Sequence, residues 1–521
     1  LRRAPLATGL ALLSLALGIG ATTALFSLMN AIMLRSLPVS HPKQLVHVMM
    51  QLPTSQHLLS SFSNPIWEQV RDHQQAFSST FAWSFTQVPM RSSGQQQQLL
   101  AVEASGRYFT TLQIAPEAGR VFGTEVDGGS CPQIAVLSDA FWQSHFARSP
   151  AALGATLALA NRDFQIIGVT PPGFFGMDVG TQFGVVLPLC AQALISPMNM
   201  LKMRDAWWLQ VAGRLKPGET MAQAEAQLQA RMPAWLQASV PSWSGQPKLE
   251  QNFLGRRVRL QPLAGGVSYL RGNYQLPLEI LLGVAGLVLL VACANLAGLM
   301  LAQSAARKDE TATRLALGAS RSRLIRQMLT ESLTLAVAGA ALGAVLAAWA
   351  CRWLEGYWST QALAIHLYLT PDARVLGFAL AVTLVTALLF GLPAALRSTD
   401  AGLSARGRSV TGHTGHRMAA VQVAISIVLI AGAGLFLRSF VNLARVDLGF
   451  DPDHVVTVQL GMTSRHDSNP AVAAGQARDL EALRRLPGVD SIAESFIIPI
   501  AGMQWDDALA TEGANLPDVY I

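Results

Sequence analysis

The sequence predicts an α-helical transmembrane bundle plus an α+β extracytoplasmic domain, followed by the start of a second repeat. Three observations carry this. Five apolar runs, at residues 4–34, 277–302, 327–350, 372–396 and 418–437, are each long enough to cross a hydrocarbon core. Between the first two, residues 35–275 have the broken texture of a folded domain, with short apolar strings punctuated by Gly, Pro, Ser and Asn. Only 13% of the 521 residues are charged and 51% are hydrophobic, whereas ordinary globular domains carry about 25% charged residues.

Arg2 and Arg3 precede the first run, which ends at Arg35. Arginines on that flank keep it in the cytoplasm, so the chain enters the membrane from inside. The run is too long for a signal-peptide core and has no small-residue cleavage site, which makes it a retained anchor. Residues 35–275 then lie outside. Their strand-like strings are 44–50, 133–137, 164–169 and 209–215, and their helix-like strings are 65–75, 138–147 and 220–236. In the last, Met221, Ala224, Leu228 and Met232 recur at helical spacing behind Gly218, Glu219 and Thr220. Trp67, Trp83, Trp142, Trp207 and Trp208 are core candidates. Cys131 and Cys190 fall in this one domain, as a disulfide or as two separate thiols, and Cys293 is a small buried residue of the second run.

The second run, 277–302, returns the chain to the inside and delivers a basic connector at 303–326. The third, 327–350, goes out again, and a short external loop, 351–371, leads to the fourth, 372–396. The linker 397–417 holds Arg397, Arg406, Arg408 and Arg417 against Asp400. Arginine excess thus marks both connectors that the alternation of spans places inside, and the two arguments give one topology.

Within the connector, Glu310 stands three residues after Arg307 and four before Arg314, so the three share a helix face. Gly318 ends that helix and Ser320, just before Arg321, caps the next. Such a corner pinned between two membrane helices is placed to receive force from a soluble partner; the plainer account is a basic loop lying on acidic lipid headgroups. Gly339 and Gly343 in the third run form a G-x-x-x-G, the spacing of a close helix-packing seam, although small residues also abound in membrane helices generally.

The fifth run opens what reads as a second copy. His41–Pro42–Lys43–Gln44–Leu45–Val46–His47–Val48 follows the first run, and Asp451–Pro452–Asp453–His454–Val455–Val456–Thr457–Val458 follows the fifth. Residues 438–521 are then the start of a second outer domain. Because the chain opens on Leu1 and stops at Ile521 within that domain, the expectation is a fragment of a longer protein.

A net charge of +6 raises nucleic acid as a partner, but the arginines crowd beside apolar runs and form no continuous basic surface. None of Lys43, Lys202, Lys216, Lys248 and Lys308 follows a glycine, so no phosphate-binding P-loop is present. The ten histidines and four cysteines show no metal-ligand spacing. No catalytic residue, cofactor site or metal site is expected.

A resemblance rests on several strings taken in order. In the outer domain these are Ser63–Asn64–Pro65–Ile66–Trp67–Glu68, Gly119–Arg120–Val121–Phe122, Val136–Leu137–Ser138–Asp139–Ala140–Phe141–Trp142, Ile167–Gly168–Val169–Thr170–Pro171–Pro172–Gly173–Phe174 and Gly213–Arg214–Leu215–Lys216–Pro217–Gly218. In the membrane part they are Ala292–Cys293–Ala294–Asn295–Leu296–Ala297 and Arg314–Leu315–Ala316–Leu317–Gly318–Ala319–Ser320–Arg321. Together they resemble permeases of the MacB/FtsX type, the mechanotransmitting class of ABC systems, and in particular its duplicated bacterial members. The resemblance implies a MacB-like periplasmic core domain and a bacterial inner-membrane location. It also implies a separate cytoplasmic ABC ATPase docking on the 303–326 segment, an export function with a periplasmic adaptor, and pairing either with the chain's own second repeat or as a homodimer. A non-transporting signalling module acting on envelope hydrolases or stress responses is the alternative. Thr311 and Thr313 depart from the family's apolar positions around Glu-x-Ala-x-Arg, making that contact more polar.

Overall fold

The computed structural model describes residues 5–53, 56, 58–92, 95–196, 198–241, 247–306, 313, 320–358, 369, 372–400, 411–446, 454–457 and 470–493. They form two compact units, Leu1–Ile195 with Met200–Gln459, and Ser196–Asn199 with Leu460–Ile521.

In the first unit, helix α1 (Pro5–Met29) continues into a π-helical turn, Asn30–Leu34, and the chain then enters the outer domain. Its twelve strands are β1 (Leu45–Gln51), β2 (Leu58–Leu59), β3 (Ser61–Phe62), β4 (Phe77–Ser92), β5 (Gln95–Ala104), β6 (Ala118–Gly119), β7 (Ile134–Leu137), β8 (Thr156–Leu159), β9 (Arg162–Val169), β10 (Val185–Pro188), β11 (Leu209–Leu215) and β12 (Arg257–Pro262). They make one mixed sheet in the order β12-β1-β11-β4-β5-β10-β7-β9-β6, with β2, β3 and β8 off that path. Among the described strands only β5–β10 and β7–β9 pair in parallel. The helices between the strands are α2 (Asn64–His73), α3 (Tyr108–Leu112), α4 (Asp139–Phe146), α5 (Gln192–Ile195), α6 (Met221–Ala238) and α7 (Pro247–Leu254).

Residue spacing explains the packing. Phe81, Trp83 and Phe85 alternate along β4, so all three project to one face, where they meet Tyr108 and Phe109 of α3. The opposite face buries Ala82 against Trp67 of α2 and Leu228, Met232 and Trp235 of α6. A third cluster packs Phe141 and Trp142 of α4 against Leu137 and Phe164. Helix α6 starts with a capping box: Thr220 Oγ1 accepts from the Gln223 N–H at 3.3 Å and Gln223 Oε1 from the Thr220 N–H at 2.9 Å. Its side chains also close the sheet edge. Gln229 Oε1 accepts from the Val258 N–H at 2.7 Å and Glu225 Oε2 from the Leu260 N–H at 2.8 Å, so β12 offers those amides to no other strand. A disulfide joins Cys131 to Cys190 with their Cα atoms 5.6 Å apart.

The chain leaves the domain through α8 (Tyr269–Ala306), followed by α9 (Arg321–Trp358), α10 (Ala373–Asp400) and α11 (Thr411–Ala444). Five stretches have the length and apolarity to cross a membrane: Gly9–Leu34, Tyr274–Gly298, Ile325–Gly356, Ala373–Leu392 and Ala419–Ala444. The helices run past the apolar runs read from sequence. Helix α8 begins at Tyr269, before Pro277, and α9 continues to Trp358, so residues 351–358 are helix and not loop. Likewise α10 extends to Asp400 and α11 opens at Thr411, so part of the 397–417 linker is helical. Polar residues at a helix end still complete backbone hydrogen bonds, and an apolar count stops short of them. Helices α1, α8, α9 and α10 share a core of Leu15, Ile19, Cys293, Leu296, Ala336 and Phe390. Helix α11 touches this bundle through α8, where Gln422 Nε2 donates to Asn295 Oδ1. The second unit contains one described helix, α12 (Pro470–Arg484).

Candidate functional site at the root of the outer domain

Chain connectivity brings two segments together where the outer domain meets the bundle: residues 35–44, leaving α1, and residues 263–268, entering α8. The Leu37 N–H donates to Ala264 O at 2.8 Å, tying one to the other. A third segment, Met177–Val179, is inserted from the domain core. The Val179 N–H donates to Val267 O at 2.9 Å and the Val267 N–H to Met177 O at 2.8 Å. Gly266 lies beneath this ladder at φ +72°, where a Cβ would stand 2.6 Å from Met177 O, so both its conformation and the close approach require glycine.

The inserted segment reaches into the core through Asp178, whose Oδ2 accepts from Trp83 Nε1 at 3.0 Å. Burial pushes the Asp178 carboxyl up to about 7, against the lowering effect of that hydrogen bond. Tyr108, fully buried nearby, is raised by the same desolvation and by the Asp178 charge. On the other side Val179 packs with Ala31, Ile32, Leu278 and Leu369, a cluster drawn from the ends of the membrane helices.

Polar side chains complete the junction. Asn30 Nδ2, in the π-turn, donates to Asp372 Oδ2 at 2.8 Å, while Asp372 Oδ1 accepts from the Arg374 and Val375 N–H groups at 3.0 Å and so caps α10. Arg374 Nη1 donates to Leu34 O. Arg271, in the first turn of α8, donates through Nη2 to Ile32 O at 3.3 Å and Gly265 O at 3.0 Å, and through Nη1 to Gly266 O at 3.4 Å. Arg214 of β11 donates to Thr111 O at 2.9 Å, Ser40 O at 2.9 Å, His41 O at 3.1 Å and Gln44 Oε1 at 3.3 Å. Burial lowers both Arg214 and Arg271 from the ordinary arginine value. Most of these bonds end on backbone groups, so the arrangement fastens separate chain segments to one another. Among the described residues no group of His, Cys, Asp and Glu could hold a metal ion.

Of the residues singled out from sequence, Arg307, Glu310, Arg314 and Gly318 lie outside the described residues. Ser320 immediately precedes α9, with its Oγ 3.2 Å from Ser322 Oγ, and Arg321 is the first residue of that helix. Gly339 and Gly343 sit on the face of α9 turned to α1. A Cβ at Gly343 would stand 2.9 Å from Ala16 O and Gly20 N, and one at Gly339 would stand 2.8 Å from Leu15 Cδ2. The root residues Asn30, Arg214, Arg271, Asp372 and Arg374 were not singled out for any role, because their partners are remote in sequence.

An α+β domain set between the first two of several long apolar helices, and fastened to their ends, is the layout of a multi-span membrane protein with a domain outside the bilayer. A family model for the MacB-like periplasmic core domain matches residues 8–231, and one for the FtsX-like permease C-terminal region matches residues 282–401. The chain belongs to the MacB/FtsX-type ABC transporter permeases, membrane proteins with a periplasmic domain. The macrolide export ATP-binding/permease protein MacB of Wolinella succinogenes is 25% identical over 303 residues, covering 58% of this chain and 42% of the relative. The pyoverdine export ATP-binding/permease protein PvdT of Pseudomonas putida is 24% identical over 256 residues, covering 49% and 36%. The chain thus spans 36–42% of the length of these curated relatives. Among solved structures, the periplasmic region of MacB from Actinobacillus actinomycetemcomitans aligns at 12% identity and a TM-score of 0.31, covering 48% of this chain and 95% of that one. The extracellular domain of the noncanonic ABC-type transporter YknZ from Gram-positive bacteria aligns at 10% identity and a TM-score of 0.29, covering 41% and 99%.

Proposed function

We propose that this permease passes ATP-driven motion from a separate cytoplasmic ABC ATPase to its periplasmic domain, in the bacterial inner membrane and in the service of export. One observation carries the reading: the periplasmic domain is entered and left through two adjoining roots that are hydrogen-bonded to each other and to the core. A shift of α1 and α8 therefore displaces the domain as a body. The two relatives are named as exporters, of macrolide and of pyoverdine, which supports efflux as the use of the stroke. In these 521 residues none of the five lysines follows a glycine, which supports assigning ATP hydrolysis to the ABC ATPase.

The ATPase docks on residues 303–326, with Arg307, Glu310 and Arg314 on the contact face and Gly318, Ser320 and Arg321 forming the corner into α9. Membrane lipid surrounds the bundle, a periplasmic adaptor receives the outer domain, and the active pair forms with the second repeat opened by α11 or with a second copy. The deciding experiment is co-purification of the ATPase from membranes with the full-length permease and with an Arg314→Glu, Arg321→Glu variant. Loss of the ATPase with unchanged membrane insertion is expected. Equal recovery would remove the coupling role of this segment. A parallel flux measurement in cells lacking the permease should show substrate accumulation, and unchanged flux with altered wall-hydrolase activity would replace export by signalling.

A further inference from the structure

Twelve residues, 30–41, separate the end of α1 from the turn Pro42–Gln44 before β1, and a free stretch of that length could absorb a helix displacement of several ångströms without passing it on. Here it is held. Four backbone carbonyls, those of Ile32, Leu34, Ser40 and His41, each accept from an arginine, and the three arginines come from three different elements. Arg271 fastens the stretch to α8, Arg374 to α10, and Arg214 to β11 and, through Thr111 O, to α3.

The end of the helix at Leu34 is what frees the lower two carbonyls, because the last carbonyls of any helix lack an intrahelical partner. The last ring closes from the N–H of Arg35, the extended residue that ends the helix, to Asn30 O at 2.8 Å, one residue wider than an α-helical ring, and the carbonyls beyond it are offered to side chains. At the bilayer boundary such carbonyls need a partner other than bulk water, and guanidinium suits the task because one planar fork can reach several acceptors. Arg271 does so, holding Ile32, Gly265 and Gly266 together and thereby tying the outgoing root to the returning one. The Asn30–Asp372 hydrogen bond then fixes the angle between α1 and the capped end of α10.

We infer that residues 30–41 are a rigid strut, clamped by Arg214, Arg271 and Arg374 and locked by Asn30 on Asp372, and that these five are positioning residues through which movement of the membrane helices reaches the periplasmic domain. The strut rests on the force-transmitting function proposed above, and supplies the stiffness which that function requires.

The test uses the full-length permease with its ATPase in nanodiscs, with Cys293 and Cys351 replaced by Ser and spin labels at W353C on α9 and D163C on β9, both exposed positions. The distance distribution is recorded without nucleotide and with ATP. An Asn30→Ala, Arg374→Ala variant should at least double the width of the nucleotide-free distribution and abolish any ATP-dependent shift, while ATPase association and hydrolysis stay within twofold. Arg374→Lys should restore the narrow width, since one donor suffices for Leu34 O. Arg271→Lys should not, since a single ammonium cannot replace a fork that holds three carbonyls. Wild-type width in the double variant would overturn the strut. If the unmutated protein shows no ATP-dependent shift, the proposed stroke fails, yet the width comparison still decides the strut by itself.

Discussion

Gly20 of α1 and Gly343 of α9 are packed backbone to backbone: a Cβ at Gly20 would stand 2.9 Å from Gly343 O and 3.2 Å from Gly343 Cα. Neither residue can gain a side chain without separating the two helices. A Gly343→Leu variant should therefore destabilise the bundle by about 1–3 kcal/mol, the usual cost of overpacking. Gly339→Ala should be milder, because the atoms its Cβ meets, Leu15 Cδ2 at 2.8 Å, Cγ at 3.0 Å and Cβ at 3.2 Å, all belong to a side chain and not to the backbone. Cys293, buried in the same four-helix core, is a native reporter. In a Cys351→Ser background its labelling by a thiol dye should occur at lower temperature in Gly343→Leu. Gly432→Ala, which meets nothing within 4 Å, should leave labelling unchanged.

The Cys131–Cys190 disulfide closes a loop with a sequence separation of 59, and its loss should act on the periplasmic domain alone. Replacing both by Ser is expected to cost about 2–4 kcal/mol. Tryptophan fluorescence of the full chain in detergent, dominated by the domain core around Trp67 and Trp83, should report an earlier transition. Cys293 labelling should not move. A shared shift in both signals would mean that the two parts unfold as one.

Much of this architecture was legible in the sequence, and the physical reason differs by part. Apolar runs of membrane length stand out in any sequence, and all five fall on helices with the length and apolarity to cross a membrane. The stripe Ala224, Leu228 and Met232 on α6 is buried as its spacing indicated, and Trp67, Trp83 and Trp142 lie in the core. The long β4–β5 hairpin escaped notice because Ser, Thr and the Gln95–Gln98 run dilute its apolar content, although the alternation of Phe81, Trp83 and Phe85 was signal enough. The root could not be read at all. Arg214 meets Ser40 across 174 positions and Arg374 meets Leu34 across 340, and in each case the acceptor is a backbone carbonyl, which leaves no mark on residue identity.

Trp83 depends on Asp178 for the partner of its indole N–H, and Trp83 lies in the cluster that continues into the roots through Leu37, Met177 and Leu263. Asp178→Ala strands that buried donor and should cost the domain about 1–3 kcal/mol. Asp178→Asn keeps an acceptor in place and should cost less. Urea titration followed by Trp fluorescence distinguishes them; equal losses in the two variants would show that the carboxylate charge, and not the hydrogen bond, is what the site needs.

Two buried groups, Glu103 and His47, and the part-buried Asp178 contribute to how the stability of the domain varies with pH. Burial raises Glu103 to about 8 and Asp178 to about 7, and lowers His47 to about 4. Glu103 Oε1 and His47 Nε2 have no hydrogen-bond partner among the described residues. For each carboxyl the folded state keeps a proton that the unfolded chain releases, so stability falls as pH rises from the ordinary carboxylate range to the folded value. His47 acts oppositely: the unfolded chain binds a proton that the folded one refuses, so stability falls as pH drops from about 6.5 toward 4. The two effects offset each other in the acidic range, and above about 6.5 only the carboxyls act. Thermal melts of the full chain should thus decline from pH 6.5 to 8. Glu103→Gln, which stays neutral throughout, should flatten that decline and melt higher than the native chain at pH 8, with the difference shrinking toward pH 4. An unchanged slope would mean that Glu103 is ionised in the folded domain, and its carboxylate would then need a partner that the surrounding strands β4 and β10 do not supply.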